Sequence, residues 1–396
     1  MSNCDFIIPG FKCSAVTAGL KKGNVPDLAL IFSEKDSIVA GLFTTNRVKA
    51  APVLLSMEHI QNHKARAIIA NAGNANACTG REGIINAGLT ADLIAKGLGI
   101  KPDEVLVAST GVIGSQLDMD LIGKAIPGLV KGLSHDGITS VARAIMTTDS
   151  FPKISRFSGE VQGTPYQIVG IAKGAGMIMP NMATMLCFLL TDILIEAPEL
   201  KRAFSSSVEK TFNRITVDGD TSTNDTVMIM ANGMAVNPAL NQDDYIGFTN
   251  GLYEVMADLS AMIVKDGEGA TKVVIVKVKG AANGEDALTA ARSVANSSLV
   301  KTAFYGQDPN WGRIMGALGR SGIAMKEEEV AIWIDDVMIV DGGLGMGADQ
   351  EKKAAEKMKN AEFSLIIDLH QGEHEDRITT CDLTHEYVSI NANYRT

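Results

Sequence analysis

The sequence predicts a protein of the mixed α/β class. Short apolar strands and helical stretches alternate along nearly the whole chain, which is the pattern of that class. Hydrophobic residues make up 46% of the 396 positions and charged residues 21%, close to the average of globular proteins. A chain of this length has room for two or three domains, or for one large sandwich with a smaller domain added.

The first third of the chain is predicted to alternate strands with helices. "DLALIFS" and "SIVAGLF" are predicted strands, and "APVLLSMEHIQN" is a predicted helix that Pro52 opens. "ARAIIANAGNANA" and "EVLVASTGVIG" are predicted strands that end in turns of small residues, at 71–77 and 109–114. Helices follow in "DMDLIGKAIPGLVKGL" and "GITSVARAIMTTD". Because tiny side chains let a ligand approach the backbone, the two small-residue turns are candidate binding loops.

The rest of the chain continues this pattern and contains one candidate boundary. Strands are predicted in "PYQIVGIAKG" and "TMLCFLLTD", then a helix in "APELKRAFSSSVEKTFNR" with Pro198 in its first turn, and a long helix over 244–264. "VDGDTSTNDTVMIMANG" is ambiguous. After the strand "KVVIVKVKG", the polar "AANGED" is predicted to separate a domain at 1–280 from a smaller α/β domain at 281–396. The smaller domain is predicted to contain the helix "ALTAARSVANSSLVK", the strand "EVAIWIDD", a polar helix and a closing hairpin "FSLIIDLHQGEHEDRITTCDL".

Composition and charge narrow the range of partners. The longest strictly apolar run, 185–190, is six residues long, whereas a bilayer span needs about 20. The start "MSNCDFIIPGF" lacks the basic region of a signal peptide, and the five cysteines form no CxxC pair, so we expect a reduced, cytoplasmic protein. With 46 acidic and 36 basic residues the net charge is -10, and no Lys/Arg stripe is present that would bind phosphates. Neither a membrane nor a nucleic acid is expected as a partner.

Familiar motifs of catalysis and ligand binding are absent or incomplete. Gly174 and Gly176 begin a dinucleotide fingerprint that fails at its third glycine, where Met179 stands. No phosphate loop of the GxxxxGK[ST] type and no GxSxG elbow are present. His370 and His374 have the spacing of a metal pair on a helix, but the glycine between them indicates a hairpin turn. The aspartates of "VDGDTSTND" do not follow the order of a calcium loop, and a solvated turn or helix cap is at least as good an interpretation.

A series of ordered blocks resembles the ornithine acetyltransferase family, the glutamate N-acetyltransferases of arginine biosynthesis. The blocks are "GLFTTNRVKAAPV", "IIANAGNANACTG", "ASTGVIG", "AIMTTDSFPK", "AKGAGMIMPNMATML", "FNRITVDGDTSTND", "KDGEGATK", "DPNWGRI" and "CDLTHEYVSINANYRT". They cover nearly the whole chain. A fragment such as "STG" is unspecific alone, but so many long blocks in one order make the match specific.

The resemblance implies a fold and a self-cleaving maturation. Members of this family have a layered α-β-β-α-like sandwich, shared with self-cleaving aminopeptidases, and a smaller domain near the C-terminus. They are made as one chain that cuts itself before a threonine in "MATML", which is the bond between Ala183 and Thr184 here. Thr184 then becomes the N-terminal residue of the second chain and the nucleophile. The two chains stay together, and a heterotetramer of two long N-terminal and two C-terminal chains is expected.

The resemblance also implies roles for particular residues. Thr110 and Gly111 of "STG" are expected to form the oxyanion hole that serves Thr184. Lys173 is expected to face the α-carboxylate of the substrate, and Glu268 the side-chain ammonium of ornithine. The family's substrate-binding positions match six residues of this chain, namely Thr147, Lys173, Thr184, Glu268, Asn391 and Thr396. The last two imply that the C-terminal tail returns to the active site.

The segment around Thr184 contains no acid or histidine that could serve as a general base, and an N-terminal threonine does not need one. A hydroxyl is a weak nucleophile until a base takes its proton. The α-amino group that cleavage would expose on Thr184 has a reference pKa of about 7.7 to 8.0, so it can be that base near neutral pH. Before cleavage, the same hydroxyl can attack the carbonyl of Ala183. Gly174 and Gly176 supply backbone freedom for the bend that this attack needs.

The resemblance implies a ping-pong reaction. Thr184 takes the acetyl group from N-acetylornithine, ornithine leaves, and glutamate accepts the acetyl group. The resemblance leaves open whether acetyl-CoA is also a donor, and it implies neither a metal nor an organic cofactor. Two alternatives stand beside this function: a self-cleaving aminopeptidase or amidase, in which water accepts the acyl group, and a folded protein without catalysis that acts as a binding partner.

Overall fold

The computed structural model describes residues 6–179 and 185–393, which form two compact units. The first unit takes in the chain up to Asn213 together with Asp220–Ile263, and the second takes in Arg214–Gly219 and the chain from Val264 onward. The sequence placed a boundary after residue 280. In the structure the strand Val273–Ala281 pairs with two strands of the second unit, so the division falls before that strand. Within the described ranges, no helix is both long and apolar enough to cross a membrane.

The first unit is built on one eight-stranded sheet. Its strands are β1 (Phe11–Val16), β2 (Leu28–Phe43), β3 (Lys64–Asn74), β4 (Val105–Val112), β5 (Lys153–Val161), β6 (Thr164–Lys173), β7 (Leu186–Thr191) and β8 (Thr226–Ala231). Their order is β4-β3-β2-β8-β7-β6-β5, and β1 pairs with β2 outside this path. The pairs β3–β4 and β7–β8 are parallel and the others are antiparallel.

Strand β2 joins the two halves of this sheet. The sequence predicted separate strands on either side of the polar segment Glu34–Asp36, but the structure runs them together as one strand of 16 residues. Leu28–Ser33 pairs with β1, and Ile38–Phe43 pairs with β8. The register against β3 shifts between Phe32 and Ser37, where the exposed polar residues lie. The polar segment therefore marks an irregularity within one strand and not a turn between two.

The first unit contains six α-helices among its described residues. They are α1 (Ala51–His59), α2 (Gly80–Leu98), α3 (Met119–Lys131), α4 (Ile138–Ala144), α5 (Ala197–Lys210) and α6 (Gln242–Lys265), of which α6 continues into the second unit. The predicted prolines open α1 and α5, where a missing backbone N–H costs nothing. Asp118 caps α3 by accepting a hydrogen bond from the Leu121 N–H at 3.1 Å.

The core residues divide the first unit into layers. Successive side chains of a strand point to opposite faces, so Ala29 and Ile31 of β2 share a core with residues of β6, β7 and β8, whereas Leu28 and Leu30 pack with α2 and α3. The first core therefore lies between the two halves of the folded sheet. A Cβ placed on Gly170 of β6 would lie 2.7 Å from Leu259 of α6, which covers the outer face there. The predicted helix–sheet–sheet–helix arrangement is confirmed.

The second unit is a smaller sheet covered by helices around one core. Its strands are β9 (Val273–Ala281), β10 (Ala331–Ile334), β11 (Val337–Asp341), β12 (Leu344–Gly345), β13 (Glu362–Asp368) and β14 (His374–Cys381). Its remaining helices are α7 (Gly284–Ala295), α8 (Ser298–Tyr305), α9 (Trp311–Gly319), α10 (Ala348–Lys357) and α11 (His385–Asn393). The strand order is β12-β11-β10-β13-β9-β14.

Two predicted elements of the second unit are different in the structure. The prediction of a closing hairpin is wrong, because β9 lies between β13 and β14, parallel to the first and antiparallel to the second. The helix predicted over "ALTAARSVANSSLVK" is two helices, α7 and α8. A new helix begins after Ser297, because the Ser297 side chain accepts a hydrogen bond from the Val300 N–H and so caps the N-terminus of α8.

Candidate active site

The predicted oxyanion turn lies at the end of β4, against β3. Gly111 is paired with Gly73 of the parallel strand β3, and its φ is 129°, a conformation that L side chains rarely adopt. A Cβ at position 111 would lie 2.3 Å from the carbonyl carbon of Gly73 and 2.6 Å from the Asn74 nitrogen. Position 111 therefore admits only glycine. The two backbones approach too closely for any side chain.

Asn224 fixes this turn from the neighbouring half of the sheet. Its side-chain amide donates to the Ser109 carbonyl at 2.9 Å and to the Ala75 carbonyl at 2.6 Å. Ser109 in turn donates to Asn71 Oδ1 at 2.5 Å. The buried polar groups thus have partners, which holds Thr110 and Gly111 in one geometry before any substrate binds.

We expect Gly111→Ala to remove most of the acetyl-transfer activity. The added methyl group must displace the turn, and loss of one oxyanion donor typically costs about 2.7 to 4 kcal/mol of barrier, or about 10²- to 10³-fold in kcat. Steady-state kinetics measures this. Gly114→Ala is the control, because Gly114 also has a positive φ of 83° but nothing lies within 4 Å of its Cβ position. An equal loss in both variants would contradict the oxyanion assignment.

Lys173 and Thr110 come together in the first unit. Lys173 is the last residue of β6 and is 3% exposed. Its Nζ lies 3.4 Å from Thr110 Oγ1, so the expected carboxylate anchor and the expected oxyanion residue are neighbours. A buried ammonium is costly unless charged partners surround it. Asp149 supplies such a charge, and both Asp149 and Asp225 interact electrostatically with Lys173.

Asp149 connects Lys173 with Thr147. Its Oδ1 accepts hydrogen bonds from Lys153 Nζ and from the Gly174 N–H, both at 2.7 Å, and its Oδ2 accepts one from the Thr147 N–H at 2.9 Å. Burial works to raise the pKa of Asp149, but the charges of Lys173 and Lys153 and the hydrogen bonds outweigh it and lower the pKa to about 2. Asp149 is thus ionised and holds two predicted substrate-binding segments in register.

Asp225 lies beside the start of β7. From the sequence, a solvated turn or helix cap was at least as good an interpretation of this segment as a calcium loop, but Asp225 is 1% exposed. Its Oδ1 accepts from the Met185 N–H at 2.9 Å, and the Thr226 N–H donates to the Met185 carbonyl at 3.0 Å. Its Oδ2 has no hydrogen-bond partner among the described residues. Burial raises the pKa of Asp225 well above its ordinary value, against the opposing effects of the Met185 N–H and Lys173.

Met185 is the residue that directly follows the predicted nucleophile. Thr184 and Ala183, the predicted cleavage pair, lie outside the described residues, as does Thr396. The two hydrogen bonds of the Met185 backbone, to Asp225 and to Thr226, nevertheless fix the position at which the chain enters β7. The first residue of that strand, Leu186, pairs with both Lys173 of β6 and Thr226 of β8. Met185, the residue after Thr184, therefore directly precedes the residue that pairs with Lys173 of β6 and with Thr226, the neighbour of Asp225.

Glu268 and Asn391 come together within the second unit. Glu268 Oε2 accepts a hydrogen bond from the Asn391 side-chain amide at 2.7 Å. The φ of Gly269 is 68°, and a Cβ there would lie 2.6 Å from the Tyr387 nitrogen, so α11 packs closely on the turn after Glu268. Tyr387 also donates to Asp218 Oδ2 at 3.3 Å. The sequence identified Glu268 and Asn391 through the resemblance, but it did not predict the helix α11 that carries Asn391.

Asp149, Asp225 and Asn224 are the residues that sequence reasoning missed. All three are polar residues in segments that look like solvated loops, and only burial in the folded unit distinguishes them. The sequence did contain one indication of an ion pair at Asp149, because the oppositely charged Lys153 stands four residues later. No comparable signal marks Asp225 apart from its position directly before the apolar strand β8.

The weak metal candidates gain no support from the described residues. Within 6–179 and 185–393, no three His, Cys, Asp or Glu side chains group together as metal ligands. His370 lies in the turn after β13 with a φ of 49°, and its Nδ1 contacts the Glu329 carbonyl at 2.8 Å.

Comparison with known proteins identifies the family. The model of the ArgJ family matches residues 12–396. A Geobacter sulfurreducens protein named arginine biosynthesis bifunctional protein ArgJ is 50% identical over 391 residues, which cover 98% of this chain and 100% of the relative. A Methanocaldococcus jannaschii protein named glutamate N-acetyltransferase is 48% identical over 400 residues, covering 98% of this chain and 97% of the relative. The crystal structure of arginine biosynthesis bifunctional protein ArgJ from Bacillus halodurans is 42% identical with a TM-score of 0.50, over 52% of this chain and 98% of that chain. The family resemblance of the sequence blocks is confirmed, and the chain belongs to the ArgJ family.

Proposed function

We propose that the chain is a glutamate N-acetyltransferase of arginine biosynthesis, which moves the acetyl group of N-acetylornithine to glutamate through an acetyl-threonine at Thr184. Membership of the ArgJ family supports the activity. One structural observation supports a location for this activity. The buried Lys173 lies beside Thr110 of the rigid glycine turn, and its strand β6 pairs with β7, the strand that begins after Thr184. A cation and oxyanion donors near one nucleophile are what acyl transfer from an anionic substrate needs.

Maturation is the first step of the proposal. The Thr184 hydroxyl attacks the Ala183 carbonyl, the peptide C–N bond breaks, and the freed nitrogen becomes the α-amino group of Thr184. Water then hydrolyses the resulting ester, which releases the Ala183 carboxylate and restores the hydroxyl. The products are two chains that stay folded together, for which we propose a heterotetramer of two N-terminal and two C-terminal chains.

Acetyl transfer follows in two half-reactions. In the first, the Thr184 α-amine takes the hydroxyl proton while Oγ attacks the acetyl carbonyl of N-acetylornithine, and the oxyanion forms at Thr110 and Gly111. Collapse of this intermediate breaks the amide C–N bond, the proton passes to the leaving nitrogen, and ornithine departs. In the second, the amine of glutamate attacks acetyl-Thr184, and the same steps in reverse free N-acetylglutamate and the hydroxyl.

Substrate binding in this proposal uses a small set of charged and polar groups. Lys173 pairs with the α-carboxylate that both amino acids share, and Thr147 is positioned with it through Asp149. Glu268 pairs with the ornithine ammonium. Asn391 and Thr396 complete the substrate contacts on the strength of the family resemblance. The C-terminal tail of the smaller domain at 281–396 is proposed to return to the active site and supply these last two contacts. The compartment is proposed to be the cytoplasm.

Assays with N-acetylornithine, with and without glutamate, test the function. We expect ornithine release beyond one equivalent per active site only when glutamate is present, with N-acetylglutamate formed as this ornithine is released. Acetate release that glutamate does not divert would contradict the transferase and favour the amidase alternative. A third assay with acetyl-CoA and glutamate decides the second donor, because the relatives bear both bifunctional and single-activity names. A protein that neither splits into two chains nor turns over would favour a binding role.

A further inference from the structure

A buried aspartate fixes the turn before β2. The carboxylate of Asp27 accepts hydrogen bonds from four consecutive backbone N–H groups, those of Ala18 (2.6 Å), Gly19 (3.0 Å), Leu20 (2.6 Å) and Lys21 (2.9 Å). Asp27 is fully buried, and its own carbonyl accepts from the Ala72 N–H at 2.9 Å. Four charge-assisted bonds to one carboxylate make this turn rigid. Lys21 is therefore held in a fixed position.

That position is against the oxyanion turn. A Cβ on Gly73 would lie 2.7 Å from the Leu20 carbonyl oxygen and 3.1 Å from Lys21 Cγ, and Gly73 is the residue paired with Gly111. The Lys21 ammonium donates to the Ala144 carbonyl at 2.8 Å and to the Pro26 carbonyl at 3.0 Å. Ala144 ends α4, three residues before Thr147. An ammonium has three N–H donors, and the third has no partner among the described residues.

Lys21 is a second cation near Lys173. Burial lowers the pKa of Lys21, Asp27 and Asp149 act to raise it, Lys173 lowers it further, and the result is a pKa of about 8. Lys21 is therefore close enough to Asp149 and Lys173 for their charges to affect its pKa. Asp149 also binds Lys153 directly at 2.7 Å, so three lysines lie in the surroundings of this carboxylate.

The two substrates differ in the charge of their side chains. Both carry an α-carboxylate, for which Lys173 suffices, but ornithine ends in an ammonium and glutamate in a second carboxylate. The two side chains therefore need binding groups of opposite charge. We propose that Lys21 binds the side-chain carboxylate of glutamate and so makes the second half-reaction specific for this acceptor. The inference rests on the proposed acetyl transfer and adds a specificity residue to it.

The two half-reactions can be measured separately, which gives a direct test. The first is the release of ornithine from N-acetylornithine, in an amount equal to the active sites, without any acceptor. The second is the transfer from acetylated enzyme to glutamate or to glutamine, its neutral isostere. In Lys21→Met we expect the first to stay within about twofold, while kcat/KM for glutamate falls about 10- to 100-fold, the worth of a charged hydrogen bond. The value for glutamine should change little.

Two further variants and a pH profile sharpen the test. Lys22→Met is the matched control, because Lys22 is the exposed neighbour and should leave both half-reactions unchanged. In the unmodified enzyme, the ratio of kcat/KM for glutamate to that for glutamine should fall as the pH rises through about 8, where Lys21 loses its charge. In Lys21→Arg the ratio should stay high, because arginine keeps its charge. This second readout remains available if Lys21→Met folds poorly.

The possible failures are distinguishable. Unchanged discrimination between glutamate and glutamine in Lys21→Met would overturn the inference while leaving the transferase intact. An equal loss in both half-reactions would also overturn it, since Lys21 would then serve the shared α-carboxylate or the fold. If the unmodified enzyme transfers no acetyl group to any acceptor, the proposed function itself fails, and the inference fails with it.

Discussion

Thr184→Ala should remain a single chain of 396 residues. The unmodified protein is expected to split into chains of about 183 and 213 residues, because the Thr184 hydroxyl attacks the preceding carbonyl. Alanine has no hydroxyl, so both the cleavage and the acetyl-enzyme are lost. The loss of a nucleophile in a hydrolytic triad costs about 10⁶-fold in kcat, and we expect a loss of that order here. Intact-mass analysis and an N-acetylornithine assay measure the two effects.

Thr191→Ala is the matched control for this variant. Thr191 is the last residue of β7, is fully buried, and accepts a hydrogen bond from the Ile193 N–H at 3.3 Å. Its replacement should lower stability slightly while cleavage and transfer continue. Thr184→Ser keeps a hydroxyl and should still cleave. A Thr184→Ala protein that splits at the same bond would show that another group performs the cleavage, and the proposed maturation would be wrong.

The sequence predicted the elements of this fold better than their pairing. The strands β3, β4 and β9 and the long helix α6 all lie where apolar periodicity placed them. Pairing depends on contacts between residues far apart in the chain, which periodicity does not contain. The polar linker between β13 and β14 looked like a hairpin turn, yet β9, which comes much earlier in the chain at Val273–Ala281, pairs with both strands and lies between them. The boundary after residue 280 has the same origin, because "AANGED" is a turn within the second unit.

Only part of the candidate site could be predicted from the sequence. Thr110, Lys173 and Glu268 were found through ordered blocks that resemble a family, and local chemistry alone would have left them as ordinary turn or surface residues. Burial then decides the importance of residues that no motif marked. In "TTDSFPK" the charged pair looks solvated, but Lys153 is fully buried and Asp149 nearly so. The energetic weight of such a pair comes from the low dielectric around it, which only the folded unit creates.

Asp149→Ala should destabilise the protein strongly and weaken substrate binding. It removes the carboxylate that pairs with the buried Lys153 ammonium at 2.7 Å, and breaking a buried ion pair typically costs about 3 to 5 kcal/mol. It also removes the acceptor of the Thr147 and Gly174 N–H groups, so the segments that carry Thr147 and Lys173 lose their register. We expect a rise in KM for N-acetylornithine of about 10-fold or more, and a lower midpoint of thermal unfolding. Asp103→Ala, at an exposed position, is the control and should change neither quantity.

The pH dependence of stability separates the charge of Asp149 from its shape. The folded-state pKa of about 2 lies below the unfolded value of about 3.9, so ionised Asp149 stabilises the fold above pH 4, and this contribution disappears as the pH falls toward 2. A shift of this size corresponds to about 2 to 3 kcal/mol. Asp149→Asn should therefore lower the free energy of unfolding at pH 7 by that order and flatten its decline between pH 4 and pH 2, as chemical denaturation at each pH measures. Adding Lys153→Met should recover part of the loss, because the buried ammonium is then gone. If the single variant kept the full pH slope, Asp149 would not be the carboxylate that carries it, and the assignment of the buried pair as the support of Thr147 and Lys173 would have to be abandoned.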